Sequence, residues 1–363
     1  MGIARIVALA AVLAAPGCRQ IFGLDTPATI ATDASNATDS DAGVCFGADP
    51  YTICPASLPT GSLDLGGVTI DTTTCPDGQI VGTQPSACVL IGTTINVFGV
   101  VRAIGARPLV LLSTGDLTVD ATGVVDVSSS VLSGAGAGAN SPDCSVSQPG
   151  SGGAQSASGG AGGSYGTLGG SGGFSTVPGG AAGIRVVPTS LAGGCKGGDG
   201  GALGGGSPSA GGPGGGAVYL IAQGQLAING KVNASGAGGK AGVAKSGGSG
   251  GGSGGMIALF GGTGLTVTGS VFANGGGGGG GGDLGNPGVD GAESLAPMQR
   301  ALGGQPQNNG AVGGDGAIAT QNGGAGQSAG NSRGGGGGGG AVGVVKNVSG
   351  PVIMGSNISP PAT

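Results

Sequence analysis

The sequence predicts an all-β fold: a short right-handed parallel β-helix, or β-solenoid, of about 22-residue coils with glycine-rich inserts at one corner. Three observations carry this expectation. A motif of alternating apolar residues ending in glycine recurs at 94–105 (TINVFGVVRAIG), 224–236 (GQLAINGKVNASG) and 264–275 (GLTVTGSVFANG). Another apolar pair precedes each copy at constant spacing. Most of the glycine, 95 of 363 residues, lies between the copies rather than within them. Such a glycine content with 20 prolines would suggest low-complexity disorder. Charged residues are only 8%, however, and mean hydropathy is positive, whereas disordered chains are usually charged and poor in apolar residues. No strict Gly-X-Y period supports collagen.

Residues 1–17 read as a signal peptide. The start MGIARIVALAAVLAAPGC holds Arg5, an apolar run from Ile6 to Ala15 and small residues before Cys18. That run is too short for a permanent membrane helix. A cysteine directly after small residues resembles a bacterial lipobox, with Ala15 standing where Leu is usual. The resemblance implies that Cys18 is lipidated and begins the mature protein, and several acyl chains anchor stably where one holds only marginally. Arg19 follows Cys18, not the Asp linked in enteric bacteria to inner-membrane retention, so the resemblance points to the outer membrane or cell surface. Ordinary cleavage and secretion is the alternative. The opening CRQIFGLD resembles the start of many predicted lipoproteins of myxobacteria and their relatives, a group to which no activity is attached. The rest of 18–44, including DTPATIATDASNATDSDAGV, has little to bury and reads as a flexible tether.

Residues 45–86 form a cysteine-containing cap region. Seven cysteines less Cys18 leave Cys45, Cys54, Cys75, Cys88, Cys144 and Cys195. An even remainder in an exported chain implies disulfides, with fifteen connectivities open. The neighbour pairing Cys45–Cys54, Cys75–Cys88 and Cys144–Cys195 is favoured. With no histidine and no Cys-x-x-Cys spacing, a metal site is not expected.

The repeat occupies 87–357. Its copies share [IL]-x-[VI]-x-G-x-V-x-A-x-G: Ile95, Val97, Gly99, Val101 and Ala103; Leu226, Ile228, Gly230, Val232 and Ala234; Leu265, Val267, Gly269, Val271 and Ala273. Each apolar pair is a period-2 strand with one buried face, and the glycine is a corner. Upstream strands carry Ala87 and Val89, Val218 and Leu220, and Ile257 and Leu259. A variant copy holds Leu109, Leu111, Leu117, Val119, Gly123, Val125 and Val127, with two extra residues before its corner glycine. The step from Ile95 to Leu117 gives the bare coil period. A degenerate last copy keeps Gly350, Val352 and Met354 but places Lys346 at an apolar position, as expected of a terminal repeat. Residues 358–363 are a tail.

The inserts, 133–216, 236–254 and 275–340, leave from the same corner and should stack beside one another. Stretches such as GGAGGSYGTLGGSGG have near-period-3 glycine, the repeat of an extended threefold helix. They resemble the polyglycine II bundles of some insect antifreeze proteins and phage tail adhesins. Ordering glycine costs about 0.5–1 kcal/mol per residue beyond alanine. A packed bundle and a flexible loop therefore both stay open, the loop especially at 305–339.

The formal charge of −5, the absence of basic clusters and 2% aromatics argue against nucleic acid. Without histidine there is no Ser-His-Asp or Cys-His arrangement. GGCKGGDGG holds Lys196, but its glycines are local background and do not make a nucleotide-binding loop. Asp199, Asp283 and Asp315 follow glycines without the tandem spacing of a calcium-binding roll. A carbohydrate-active β-helix needs converging carboxylates and aromatics. Here Asp64, Asp71, Asp116, Asp120 and Asp126 scatter over the N-terminal coils, with Asp120 and Asp126 placed to share a surface. The expectation is a lipid-anchored structural or adhesive envelope protein without catalytic activity or cofactor, partnered by the membrane and by polysaccharide or other surface components. The alternatives are a carbohydrate-active β-helix enzyme and an ice- or surface-binding polyglycine module.

Overall fold

Apolar side chains at every second position suit a pleated, half-buried strand, and glycine or polar residues end each run. The computed structural model describes residues 44–82, 86–146, 150–153, 155–204, 207–283, 285–330, 333–349 and 352–363. The leader, Cys18, most of the tether and Gly350 lie outside them. The strands open with β1 (Leu63–Leu65), β2 (Val68–Asp71), β3 (Gln79–Val81) and β4 (Ala87–Gly92). The uninterrupted repeats supply β5 (Ile95–Val97), β6 (Val100–Ile104), β7 (Leu109–Ser113), β8 (Leu117–Val119) and β9 (Val124–Asp126). After the first insert come β10 (Ala217–Ala222), β11 (Gln225–Ile228) and β12 (Lys231–Asn233). After the second come β13 (Met256–Gly261), β14 (Gly264–Val267) and β15 (Ser270–Phe272). The third precedes β16 (Val344–Asn347), β17 (Val352–Met354) and β18 (Ile358–Ser359). A 3-10 turn at Pro142–Val146 is the one helical element among the described residues.

The chain is all-β, in three six-stranded sheets. Sheet 1 runs β1-β5-β8-β11-β14-β17, sheet 2 runs β3-β4-β7-β10-β13-β16, and sheet 3 runs β2-β6-β9-β12-β15-β18. Among the strands of the three sheets, β3 and β4 pair antiparallel and every other neighbouring pair is parallel. From β4 onward the chain visits sheets 2, 1 and 3 in rotation. Where no insert intervenes the step is short: Cys88 lies opposite Leu109, Ile95 opposite Leu117, and Val101 opposite Val125. Those steps are 21, 22 and 24 residues by subtraction, the last including the two extra residues before Gly123.

Parallel register stacks like on like. Val218 and Leu220 pair with Ile257 and Leu259, Leu226 and Ile228 with Leu265 and Val267, and Val232 with Val271. All ten belong to one buried cluster drawn from the three sheets, so the core lies between them. Fully burying each such side chain is worth about 1.5–3 kcal/mol. The sheets reach beyond the limits read from the sequence. β1 and β2 lie within 45–86, and β18 lies within the supposed tail, because Leu65, Ile70 and Ile358 continue the inward column. Lys346 also needs correction. Val345 pairs with Ile257 and Val352 with Leu265, so the connection is seven residues here against eight in the preceding turn. Val352 and Met354 lie opposite Leu265 and Val267 in sheet 1, not in the Val271 column that a motif with Gly350 at its corner gives them. Lys346 lies opposite Ala258 in sheet 2, beside Val345, which is in the core.

Sheet 2 is buried on both faces. Its second face carries Val89, Val110, Leu112, Tyr219, Ile221 and Ala258, and is covered by Phe46, Tyr51 and Leu191. Cys45–Cys54 closes the covering segment, and Phe46 and Ile53 exchange backbone bonds of 2.8 and 2.9 Å within it. Tyr51 meets Tyr219 edge to face at 6.3 Å, and the Ala48 N–H donates to the Tyr219 hydroxyl at 3.3 Å. The other disulfides are Cys75–Cys88 and Cys144–Cys195, so all three join neighbours.

Each insert leaves after a sheet 3 strand (β9, β12 or β15) and returns at a sheet 2 strand (β10, β13 or β16). Their backbones pack against one another. Along 247–255, successive N–H groups address three neighbours in turn. Gly247, Gly250 and Ser253 donate to the carbonyls of Gly201, Gly198 and Cys195 at 2.8–3.0 Å. Gly248, Gly251 and Gly254 donate to Gly335, Gly338 and Ala341 at 2.9 Å. Ser249, Gly252 and Gly255 donate to Lys240, Ala237 and Ala234 at 2.8–3.0 Å. The three-residue rotation leaves room for the small side chains of Ser249 and Ser253 but none at Gly251 or Gly254. A Cβ at Gly251 would sit 2.2 Å from the Gly276 oxygen, and one at Gly254 would sit 2.0 Å from that of Ala273.

Candidate functional site

Side chains with reactive or ionic groups are few, and most serve the backbone. Asp199 accepts the Gly211 N–H at 2.8 Å and pairs with Lys196 at 2.9 Å. Partial burial opposes its charge, but the Gly211 amide and Lys196 outweigh that and hold its carboxyl below the usual range. Asp290 likewise accepts the Ala241 N–H at 2.7 Å and pairs with Lys240, and Asp315 accepts the Gly303 N–H at 2.9 Å. Such carboxylates replace a neighbouring carbonyl where a glycine segment runs out of partners. Asp283 accepts from Asn309 at 3.2 Å and lies 4.0 Å from Arg333. Among the described residues no three His, Cys, Asp or Glu cluster in a manner fit for a metal ion.

Of the N-terminal carboxylates, those of Asp126, Asp116 and Asp71 are committed. Asp126 pairs with Arg102 at 2.8 Å and accepts from Ser128, while Asp116 accepts the Gln225 N–H at 2.8 Å. Asp71 accepts from Thr73, whose amide draws its pKa down. Asp120 supplies a backbone carbonyl to the Gly123 corner, and Asp64 lies opposite Asn96 in sheet 1. Each is tied into a separate turn or strand, and Asp126 is drawn to Arg102 rather than toward Asp120.

One concave site is built differently. A cleft of about 440 Å³ opens where the first and third inserts meet the last strands, and Val186, Val187, Val342, Val344, Arg185 and Lys346 are among its lining residues. One wall is the extended stretch IRVVP of the first insert. Val186 is buried there against Tyr165 and Cys195, beside the Cys144–Cys195 disulfide. Alternation turns Arg185 and Val187 to the face opposite buried Val186, with Val187 exposed at 71%, and Ile184 at the start of the stretch is exposed at 62%. The opposite wall is β16, where burial of Val345 turns Lys346 away from the core. Tyr165, fully buried, donates its hydroxyl to the Ala192 carbonyl at 2.7 Å, and burial pushes its pKa well up.

Arg185 and Lys346 stand 161 positions apart by subtraction, and no local motif joins them. The available signal is that Arg185 is the single charged residue between Asp143 and Lys196. Among the described residues no helix is long and apolar enough to cross a membrane. No protein-family model, curated protein or solved structure compared with the chain matches it.

Proposed function

We propose that the chain is a lipid-anchored, surface-exposed structural or adhesive protein of the cell envelope, built as a parallel β-solenoid that carries a polyglycine II bundle. The observation that carries this reading is the three-way rotation of amide bonds along 247–255. A threefold bundle held mainly by backbone hydrogen bonds is stiff, carries little charge and presents its connecting loops along its rim. Such an element suits display and contact rather than bond-making. The three-sheet stack, visited five times in rotation from β4 onward, supports the solenoid as its platform. The resemblance of the leader and of CRQIFGLD to myxobacterial lipoproteins supports the anchor, with Cys18 as the acylated residue.

Fractionation of cells expressing the Cys18→Ser chain tests the address. The reading expects release into the medium or accumulation of an unprocessed precursor. An unchanged membrane fraction contradicts the anchor. An array of envelope polysaccharides probed with the same chain tests adhesion, and loss of retention on substitution within the bundle rim is the expected pattern.

A further inference from the structure

We infer that the cleft between the first insert and β16 binds a single amphiphile with an anionic head, a carboxylate or phosphate, on an apolar body. This is independent of the envelope reading. The volume of about 440 Å³ lies in the range of small-molecule sites, which are largely apolar with a few placed polar groups. The walls match that description. Val186, Val187, Val342 and Val344 supply apolar surface, and Ile184 next to them stands 62% exposed.

Charge selects the head. Arg185 and Lys346 line the cleft together, no Asp or Glu lines it, and neither cation enters an ion pair among the described residues. Thr363 also lines the cleft, and its carbonyl oxygen accepts the Asn347 N–H at 3.1 Å. A planar guanidinium takes a carboxylate or phosphate through paired hydrogen bonds, and the ammonium adds a second point of charge. A free inorganic anion would leave the valine walls uncovered, and a neutral lipid would leave both cations unmatched.

Titration calorimetry on the purified full-length chain tests this, using dodecanoate, dodecyl phosphate, dodecyltrimethylammonium and acetate, each below its micellar concentration. One saturable site per chain is expected for dodecanoate or dodecyl phosphate, and the tighter of the two identifies the head group. Dodecyltrimethylammonium and acetate should not saturate it. Arg185→Ala and Lys346→Ala should each weaken binding about tenfold or more, as loss of a hydrogen bond to a charged group implies. Val187→Asp should weaken it comparably through the tail. Arg185 and Val187 are exposed, so an unchanged melting temperature verifies that these two variants remain folded. The inference is overturned if neither anionic amphiphile binds, if the cationic one binds equally well, or if the Arg185→Ala/Lys346→Ala chain binds like the parent.

Discussion

Single residues decide which face of each strand enters the core. Leu226 is fully buried between Leu117 and Leu265, so Leu226→Asp places a carboxylate among aliphatic neighbours. The expected loss is at least about 4 kcal/mol, the cost of the removed side chain plus that of an unpaired buried charge. Lys231, on the next strand, turns outward over the Phe272 ring at 5.9 Å. Lys231→Asp should cost about 1–2 kcal/mol, the worth of a part-exposed cation over the buried Phe272 ring. Denaturant unfolding of the two variants checks the register, and equal losses would contradict it. Tyr219 gives a pH dependence. Burial pushes its pKa from the usual 10.0 up to about 12, so the folded state holds the phenol proton that the unfolded chain releases. Its contribution is fully present below pH 10 and is lost as pH rises toward 12. Tyr219→Phe should therefore flatten the fall in melting temperature over that window. An unchanged slope would show that the ring is not held under the covering segment.

At the scale of elements, the contrast lies between strands that pack through side chains and glycine segments that pack through backbone. Ala at Gly251 or Gly254 drives a methyl into a carbonyl oxygen and should cost about 1–3 kcal/mol, as overpacking does. Gly330 has nothing within 4 Å of its would-be Cβ, so Gly330→Ala should be neutral or slightly stabilising by reducing unfolded-chain entropy. Thermal melts of the three variants separate a bundle from a loop, because a loop would tolerate all of them alike. The strands were legible in the sequence because a parallel ladder repeats its inward side chains: Val125, Val232 and Val271 occupy one column and one motif position. The second buried face of sheet 2 had a signal too, the unbroken apolar runs LVLL and AVYLIA, which the two-residue periodicity obscured. What covers that face was not legible, since Phe46 and Tyr51 reach Tyr219 only through the fold. The register of the last copy was not legible, because Gly350 stands two residues before Val352 as a corner glycine does, whereas Val352 lies in the Leu265 column of sheet 1. The cleft escaped for the same reason as the cover: its two cations are distant in sequence and become neighbours only when the inserts return.

For the whole molecule, the sheets and the bundle depend on each other. Every insert starts and ends on the stack, which fixes the ends of its glycine segments and lowers the entropy they lose on ordering. Cys144–Cys195 removes more, about 4 kcal/mol for its 51-residue separation in the chain-entropy account. The bundle in turn contributes Leu191 to the cover of sheet 2 and links the three inserts through amides and carbonyls. Ordered packing of the glycine backbone is the central claim, and native-state hydrogen exchange reads it amide by amide. The nine amides of 247–255 should exchange as slowly as those of β10 and β13, with protection continuing into 195–201 and 335–341. Exchange of 247–255 at the rate of an unstructured chain, while β13 stays protected, would contradict the bundle and leave the three sheets standing alone.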